Sequence, residues 1–191
     1  MVYDKDFKSV VDRRYRTSQS AMMPHDDHVS QCLAKRMKSF LGNVQHIETE
    51  PIQVVKYEGG EKFSLHTDWL DEPINSTYSK KYPDRYYNRL GSIFAYLDGG
   101  CTGGETYFPL VKGVSAAADG DKFSRTETGE GLLVRPRRGS AVFWNNLHPR
   151  NASGDRRVLH AGIPVETGRK IGINLFSYYF LDAPFIGGEE E

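Results

Sequence analysis

Beyond Glu48 the apolar residues stop recurring at helical spacing and fall at every second position or in short apolar runs. That change constrains the fold more than any other feature of the sequence. Residues 52–57, 62–68, 89–99, 104–110, 132–136, 140–146, 157–165 and 170–180 each read as a short strand, separated by segments rich in Gly, Pro, Asn and Asp. Before them only one helix is expected, from Asp26 to Leu41. Val29, Cys32, Leu33, Met37, Phe40 and Leu41 share its face, acids open it and Gly42 closes it. One helix followed by about eight short strands predicts a mainly β domain, and a jelly roll is the specific expectation.

The 191 residues suit one domain over 1–191. Within it, 1–23 is polar, 70–88 lacks an apolar period and reads as a lid loop, 112–131 reads as an exposed insertion, and 185–191 as a loose tail. Lys plus Arg and Asp plus Glu each number 25, which argues against the broad basic face that nucleic-acid binding requires. Cys32 and Cys101 make neither a disulfide framework nor a zinc pattern. No apolar run suggests a signal peptide or a membrane span. The expectation is a cytoplasmic protein, or one of the endoplasmic reticulum if a leader was trimmed. The triplets at Asn75 and Asn151 are short enough to arise by chance.

The chemistry concentrates in two distant stretches, 52–69 and 156–176. On a strand, His66 and Asp68 share a face, and His160 is the candidate third ligand from another strand. Two imidazoles and one carboxylate are the donor set of non-haem Fe(II) sites. Alone, His-x-Asp is more often an ordinary hydrogen bond. The context raises its weight: Tyr57 lies nine residues before His66, and Lys170 ten after His160 on an otherwise apolar strand. A buried ammonium there needs an anionic partner; the simpler alternative is that it snorkels from the strand end to water. Gly172, on the same face, is expected to leave room for a ligand. The cluster His25-Asp26-Asp27-His28 opens the helix, where acids favour its dipole. His46 sits in a polar connection, and His148 is an understudy for His160. The Gly-rich 99–106 precedes a strand, unlike a phosphate loop, and RPRR at 135–138 reads as a strand end.

Arg16-Thr17-Ser18, YEGGEKFSLHTD, NRLGSIFAYLD, GGETYFP, RPRRGSAVFWNN and HAGIPVETGRK, in this order over residues 16–176, resemble the prolyl 4-hydroxylase branch of the Fe(II)/2-oxoglutarate dioxygenases. The resemblance implies a double-stranded β-helix, cupin-like, with one or two N-terminal helices. It implies Fe(II) held by His66, Asp68 and His160, and 2-oxoglutarate anchored by Lys170 with help from Tyr57 and Thr106. O2 would be the oxidant and ascorbate the reductant, with succinate and CO2 as co-products. Arg89 matches an arginine on the substrate side of the pocket. The chain departs from the family pattern twice: Phe176 stands where a Trp is usual, and little precedes Arg16. Trp69 and the tyrosines of 70–88, Tyr86 among them, suit a proline-rich peptide substrate. A free amino acid or small metabolite is the alternative, and a non-catalytic binding module the third reading.

Overall fold

A computed structural model describes residues 2–3, 9–10, 16–44, 48–76, 83–112, 115 and 120–184. The chain begins with two short paired strands, β1 (Val2–Tyr3) and β2 (Ser9–Val10), followed by β3 (Gln19–Met22) and α1 (His28–Leu41). Next come β4 (Gln53–Glu58), β5 (Phe63–His66), β6 (Ile74–Asn75), β7 (Tyr86–Asp98), β8 (Cys101–Gly103) and β9 (Thr106–Phe108). The last strands are β10 (Phe123–Ser124), β11 (Leu132–Val134), β12 (Ala141–Asn145), β13 (His160–Gly162) and β14 (Val165–Phe180). All pairings are antiparallel.

Two sheets make the jelly roll. The smaller runs β10-β11-β9-β13-β5; the larger runs β12-β7-β14-β4-β3, with β6 on β7 and β8 on β14. Side chains from both sheets meet in one core: Val55 and Tyr57 of β4, Phe94 and Tyr96 of β7, Phe108 of β9, Val134 of β11 and Trp144 of β12. The long β14 lies between β7 and β4. Its Ile173 and Leu175 face α1 through Met37, while Lys170 is buried beside the first core. Apolar residues on both faces explain why this strand reads as a nearly continuous run instead of an alternation.

Helix α1 has the ends its sequence predicts. Asp27 is the N-cap, accepting from the Val29 and Ser30 amides at 2.8 and 3.3 Å. Gly42 closes the helix at φ +64°, where a side chain would be strained, and its N–H donates to Lys38 O. The His25–His28 cluster is therefore a helix start, as expected.

Several boundaries differ from the sequence reading. Residues 19–22 of the polar N-terminal segment form β3 and extend the larger sheet, because their backbone completes the edge of β4 whatever their side chains. The 62–68 strand ends at His66, so Asp68 lies in the bend beyond it. The 157–165 strand is broken: Arg156–Val158 is a 3₁₀ turn capped by Asp155, and Val158 shares no strand face with His160. The 70–88 lid is shorter than expected, since Ile74–Asn75 pairs with Tyr86–Tyr87 and Tyr86 to Asn88 already belong to β7. Tyr78 and Tyr82 lie outside the described residues, as does His46. The 112–131 insertion contributes β10 to the smaller sheet; 113–114 and 116–119, like the tail 185–191, are outside the described residues. Cys32 and Cys101 are both free thiols. Among the described residues no helix is long and apolar enough to cross a membrane.

Candidate active site

Strands β5 and β13 pair so that His160 stands directly opposite His66. The cross-strand register, and not a shared strand face, brings the two imidazoles together, with ring centroids 4.3 Å apart. The bend after β5 then carries Asp68 back toward them. His66 Nε2 is 3.6 Å from Asp68 Oδ1, and His160 Nε2 is 3.8 Å from Asp68 Oδ2. One ligand atom from each of the three residues lies within 4.8 Å of the others.

The backbone fixes which imidazole nitrogen is free. His66 Nδ1 sits 2.8 Å from Ser64 O, and His160 Nδ1 sits 2.9 Å from Val158 O. A carbonyl can only accept, so each Nδ1 carries a proton, and Nε2 is the ring nitrogen each imidazole turns toward Asp68. Asp68 Oδ2 is buried without a hydrogen-bond partner, a cost of a few kcal/mol that a bound cation would remove. Free Nε2 atoms and an orphaned carboxylate oxygen fit a divalent metal of the kind that accepts two imidazoles and one carboxylate.

The electrostatics agree. Burial, reinforced by His160, lowers the His66 pKa to about 4, so this imidazole is neutral at pH 7. Burial pushes the Asp68 carboxyl upward, but His160, His66 and Arg89 overcome it and hold the carboxyl below its ordinary value. Asp68 is therefore ionised. Metal ligation needs these protonation states.

The ligands open into a cavity of about 300 Å³ whose wall also includes Tyr57, Thr106, Arg89, Phe176 and Lys170. Lys170 is 1 % exposed, so its ammonium does not snorkel to bulk water. It donates to Gly104 O at 2.6 Å and lies 4.3 Å from the centre of the Tyr57 ring. Among the described residues no carboxylate is within ion-pairing distance of it. Burial, partly countered by Cys101 and Glu105, lowers its pKa to about 8. Thr106 Oγ1 is 2.7 Å from the hydroxyl of Tyr96, a buried partner that the sequence reading missed. Gly172 does not leave space for a ligand: a Cβ there would sit 2.4 Å from Phe94 Cζ, so the phenyl ring already fills that position. Gly162 is the glycine beside the ammonium, with its would-be Cβ 3.6 Å from Nζ.

Arg89 reaches the cavity, but its guanidinium is already engaged. Nε and Nη2 donate to the Glu50 carboxylate, the latter at 2.8 Å, and Nη1 donates to Asp68 O at 3.2 Å. The group also stacks 4.0 Å over the Phe176 ring. Phe176 thus supplies a wall against which Arg89 is ordered. Asn88 pins the same bend through two bonds with Leu70, at 2.8 and 2.9 Å. Glu50 and Asn88 were not singled out in the sequence; an acid and an amide beside a strand start give no signal there. Trp69 and Tyr86 do not line the cavity. The Trp69 ring lies against Gly154, and Tyr86 is exposed on β7. His148 pairs with Asp155 at 3.7 Å, away from the triad.

A family model described as the 2OG-Fe(II) oxygenase superfamily matches residues 52–178. Probable prolyl 4-hydroxylase 7 of Arabidopsis thaliana is 32 % identical over 173 residues, covering 89 % of this chain and 51 % of the relative. Prolyl 4-hydroxylase subunit alpha-2 of Gallus gallus is 31 % identical over 158 residues, covering 82 % and 24 %. The chain thus spans about half the length of the first of these relatives and less of the second. The viral collagen prolyl hydroxylase of Paramecium Bursaria Chlorella virus-1, solved with 2OG, superposes with a TM-score of 0.63 at 25 % identity, covering 86 % of this chain and 80 % of that one. A Trichoplax adhaerens prolyl hydroxylase in complex with a hypoxia inducible factor peptide shares the fold, with a TM-score of 0.56 at 16 % identity over 93 % and 69 % of the two chains.

Proposed function

Since the chain belongs to the 2OG-Fe(II) oxygenase superfamily, we propose that it is a 2-oxoglutarate-dependent dioxygenase that hydroxylates proline in a peptide or protein. One observation carries the chemistry: the His66–Asp68–His160 triad and the buried, carboxylate-free Lys170 open into one cavity. His66 Nε2, Asp68 and His160 Nε2 would hold Fe(II), which would supply the oxidising chemistry with O2 and would be kept ferrous by ascorbate. The overall reaction would convert 2-oxoglutarate and O2 to succinate and CO2, with the second oxygen atom of O2 passing to the substrate.

The chain's own residues bind, orient and exclude water. The Lys170 ammonium offers the 5-carboxylate of 2-oxoglutarate a counter-charge in a place that water does not reach, where ion pairing is strong. The Thr106 and Tyr57 side chains line the same cavity, and the Tyr57 ring lies 4.3 Å from the ammonium. Arg89, neutralised by Glu50, holds the Asp68 backbone from the other side. Support for a peptide comes from the rim, where Met22 and Leu65 line the entrance yet are half-exposed. Such exposed apolar side chains suit contact with the chain that flanks a reacting residue in a peptide.

The test is succinate release with Fe(II), 2-oxoglutarate and ascorbate, with proline-rich peptides set against free amino acids and a gain of one oxygen read by mass. Peptide-dependent release is expected, with loss of at least about 100-fold in Asp68→Ala and His160→Ala. Hydroxylation of free amino acids alone would move the substrate class, and full turnover in either variant would dismiss that residue from the site.

A further inference from the structure

Among the described residues three cations line the cavity: Arg16, Arg89 and Lys170. Arg89 is neutralised by Glu50, and Lys170 faces the cosubstrate carboxylate in the reading above. Arg16 is left over. Its Nε donates to Ser18 Oγ at 2.7 Å and its Nη2 to Gln53 Oε1 at 3.2 Å. Both acceptors are neutral, and among the described residues no carboxylate lies within ion-pairing distance of the guanidinium. A guanidinium has five N–H donors, so several remain for a ligand.

The group is held in a fixed place. It lies 4.9 Å over the Phe63 ring, which stacks at 3.7 Å on the ring of His66. Gln53 Oε1 also accepts from Asn174 Nδ2 at 3.1 Å, so the acceptor is itself tied to β14. Arg16 is thus ordered by both sheets, one ring removed from a metal ligand. The register of β4 and β14 sets its anchor apart from Lys170. Tyr57 pairs with Lys170, Val55 with Gly172 and Gln53 with Asn174. At the strand rise per residue, the Gln53–Asn174 pair lies about 13 Å along from the Tyr57–Lys170 pair. It is level instead with Met22, half-exposed at the rim. Arg16 Nη2 is therefore anchored toward the rim, away from the end that would hold 2-oxoglutarate.

Charge points the same way. On the cavity wall Arg16, Arg89 and Lys170 stand against Glu50 and Asp68. Fe(II) and 2-oxoglutarate would add equal and opposite charges. One positive charge stays unbalanced, in a half-buried place where an ion pair is stronger than in bulk water. We propose that Arg16 is a specificity-determining residue whose partner is a carboxylate of the peptide substrate: an Asp or Glu side chain close to the reacting proline, or the C-terminus of the peptide. A planar fork of donors fits the two oxygens of a carboxylate. The inference rests on the peptide reading above and narrows it.

The experiment uses the full chain with Mn(II) in place of Fe(II) and with 2-oxoglutarate, and reads binding of fluorescein-labelled proline-rich peptides by polarisation. The peptides come in pairs: Glu against Gln at each position flanking the proline, and a free against an amidated C-terminus. Hydroxylation of the same peptides with Fe(II) is read by mass as kcat/KM. In one pair the carboxylate member is expected to bind, and to be hydroxylated, about 10- to 100-fold better. In Arg16→Gln that ratio should fall to within about twofold. An advantage that follows Glu assigns the partner to a side chain, one that follows the free terminus assigns it to the chain end, and either supports the inference. A merely structural role would lower the unfolding temperature of Arg16→Gln and leave the ratio as in wild type, which overturns it. If Arg16→Gln does not fold, the wild-type pairs decide. Ratios within twofold in every pair overturn the inference, and hydroxylation of the neutral peptides then leaves the proposed function standing. Wild-type protein that hydroxylates no peptide overturns the peptide reading, and this inference with it.

Discussion

Lys170 is a fully buried cation whose nearest acceptor is a neutral carbonyl, so the protein without its ligand carries an unfavourable charge. Its pKa falls to about 8 in the folded chain, below the ordinary lysine value. Below pH 8 both folded and unfolded states hold the proton, and the burial cost is borne in full. From pH 8 upward the folded state releases the proton first, so stability rises with pH until the unfolded lysine also titrates. Lys170→Met should accordingly be more stable than wild type at pH 7, by about 1–3 kcal/mol, and the gap should close by pH 10, as urea unfolding at the two pH values would show. The same variant should lose 2-oxoglutarate binding by at least about 100-fold, and wild-type binding should weaken above pH 8 as the ammonium is lost. A variant as pH-dependent as wild type would show that another group sets this behaviour. Lys170 was legible in the sequence because a cation breaks an apolar strand. Tyr96 was not, because a neutral polar residue in a strand looks the same whether it faces water or a buried partner.

Among the elements, α1 serves the sheet and not the site. Met37, Leu33 and Leu41 press against Ile52, Ile173 and Leu175, on the side of the larger sheet away from the cavity. Asp27→Ala removes the cap that satisfies two amides and should cost about 1 kcal/mol of stability. Mn(II) affinity should stay within twofold, and a larger change would mean that the helix transmits to the cavity. The helix ends were readable because caps are local chemistry. The strands around the triad were less so. A period-two reading carried β5 on to Asp68 and ran the 157–165 strand through Val158, whereas the chain bends after His66 and makes a 3₁₀ turn before His160. Those departures place the ligands, and they depend on partners far away: Asn88 and Arg89 hold the bend, and Asp155 caps the turn.

For the whole molecule, the metal would join the edge strand β5 and its bend to β13, segments more than ninety positions apart along the chain. A ligand that binds only the folded state stabilises it by RT ln(1 + [L]/Kd), about 2.7 kcal/mol at 100 times Kd. For a chain of this size that raises Tm by roughly 5–10 °C. Mn(II) should produce that shift in the wild type, a chelator should reverse it, and Asp68→Ala should show none of it. An equal shift in Asp68→Ala would place the stabilising ion elsewhere.

The sequence alone determined what is set by periodicity and local chemistry: a mainly β chain after one capped helix, and the residue types of a candidate metal- and keto-acid-binding site. Side-chain alternation and capping are properties of neighbours along the chain, so they can be read one segment at a time. Only the tertiary structure decided that the imidazoles meet by cross-strand register, that Phe94 fills the space over Gly172, that Glu50 occupies Arg89, and that Trp69 and Tyr86 stand away from the cavity. Each of these is a contact between residues distant in sequence, fixed when the two sheets close on each other.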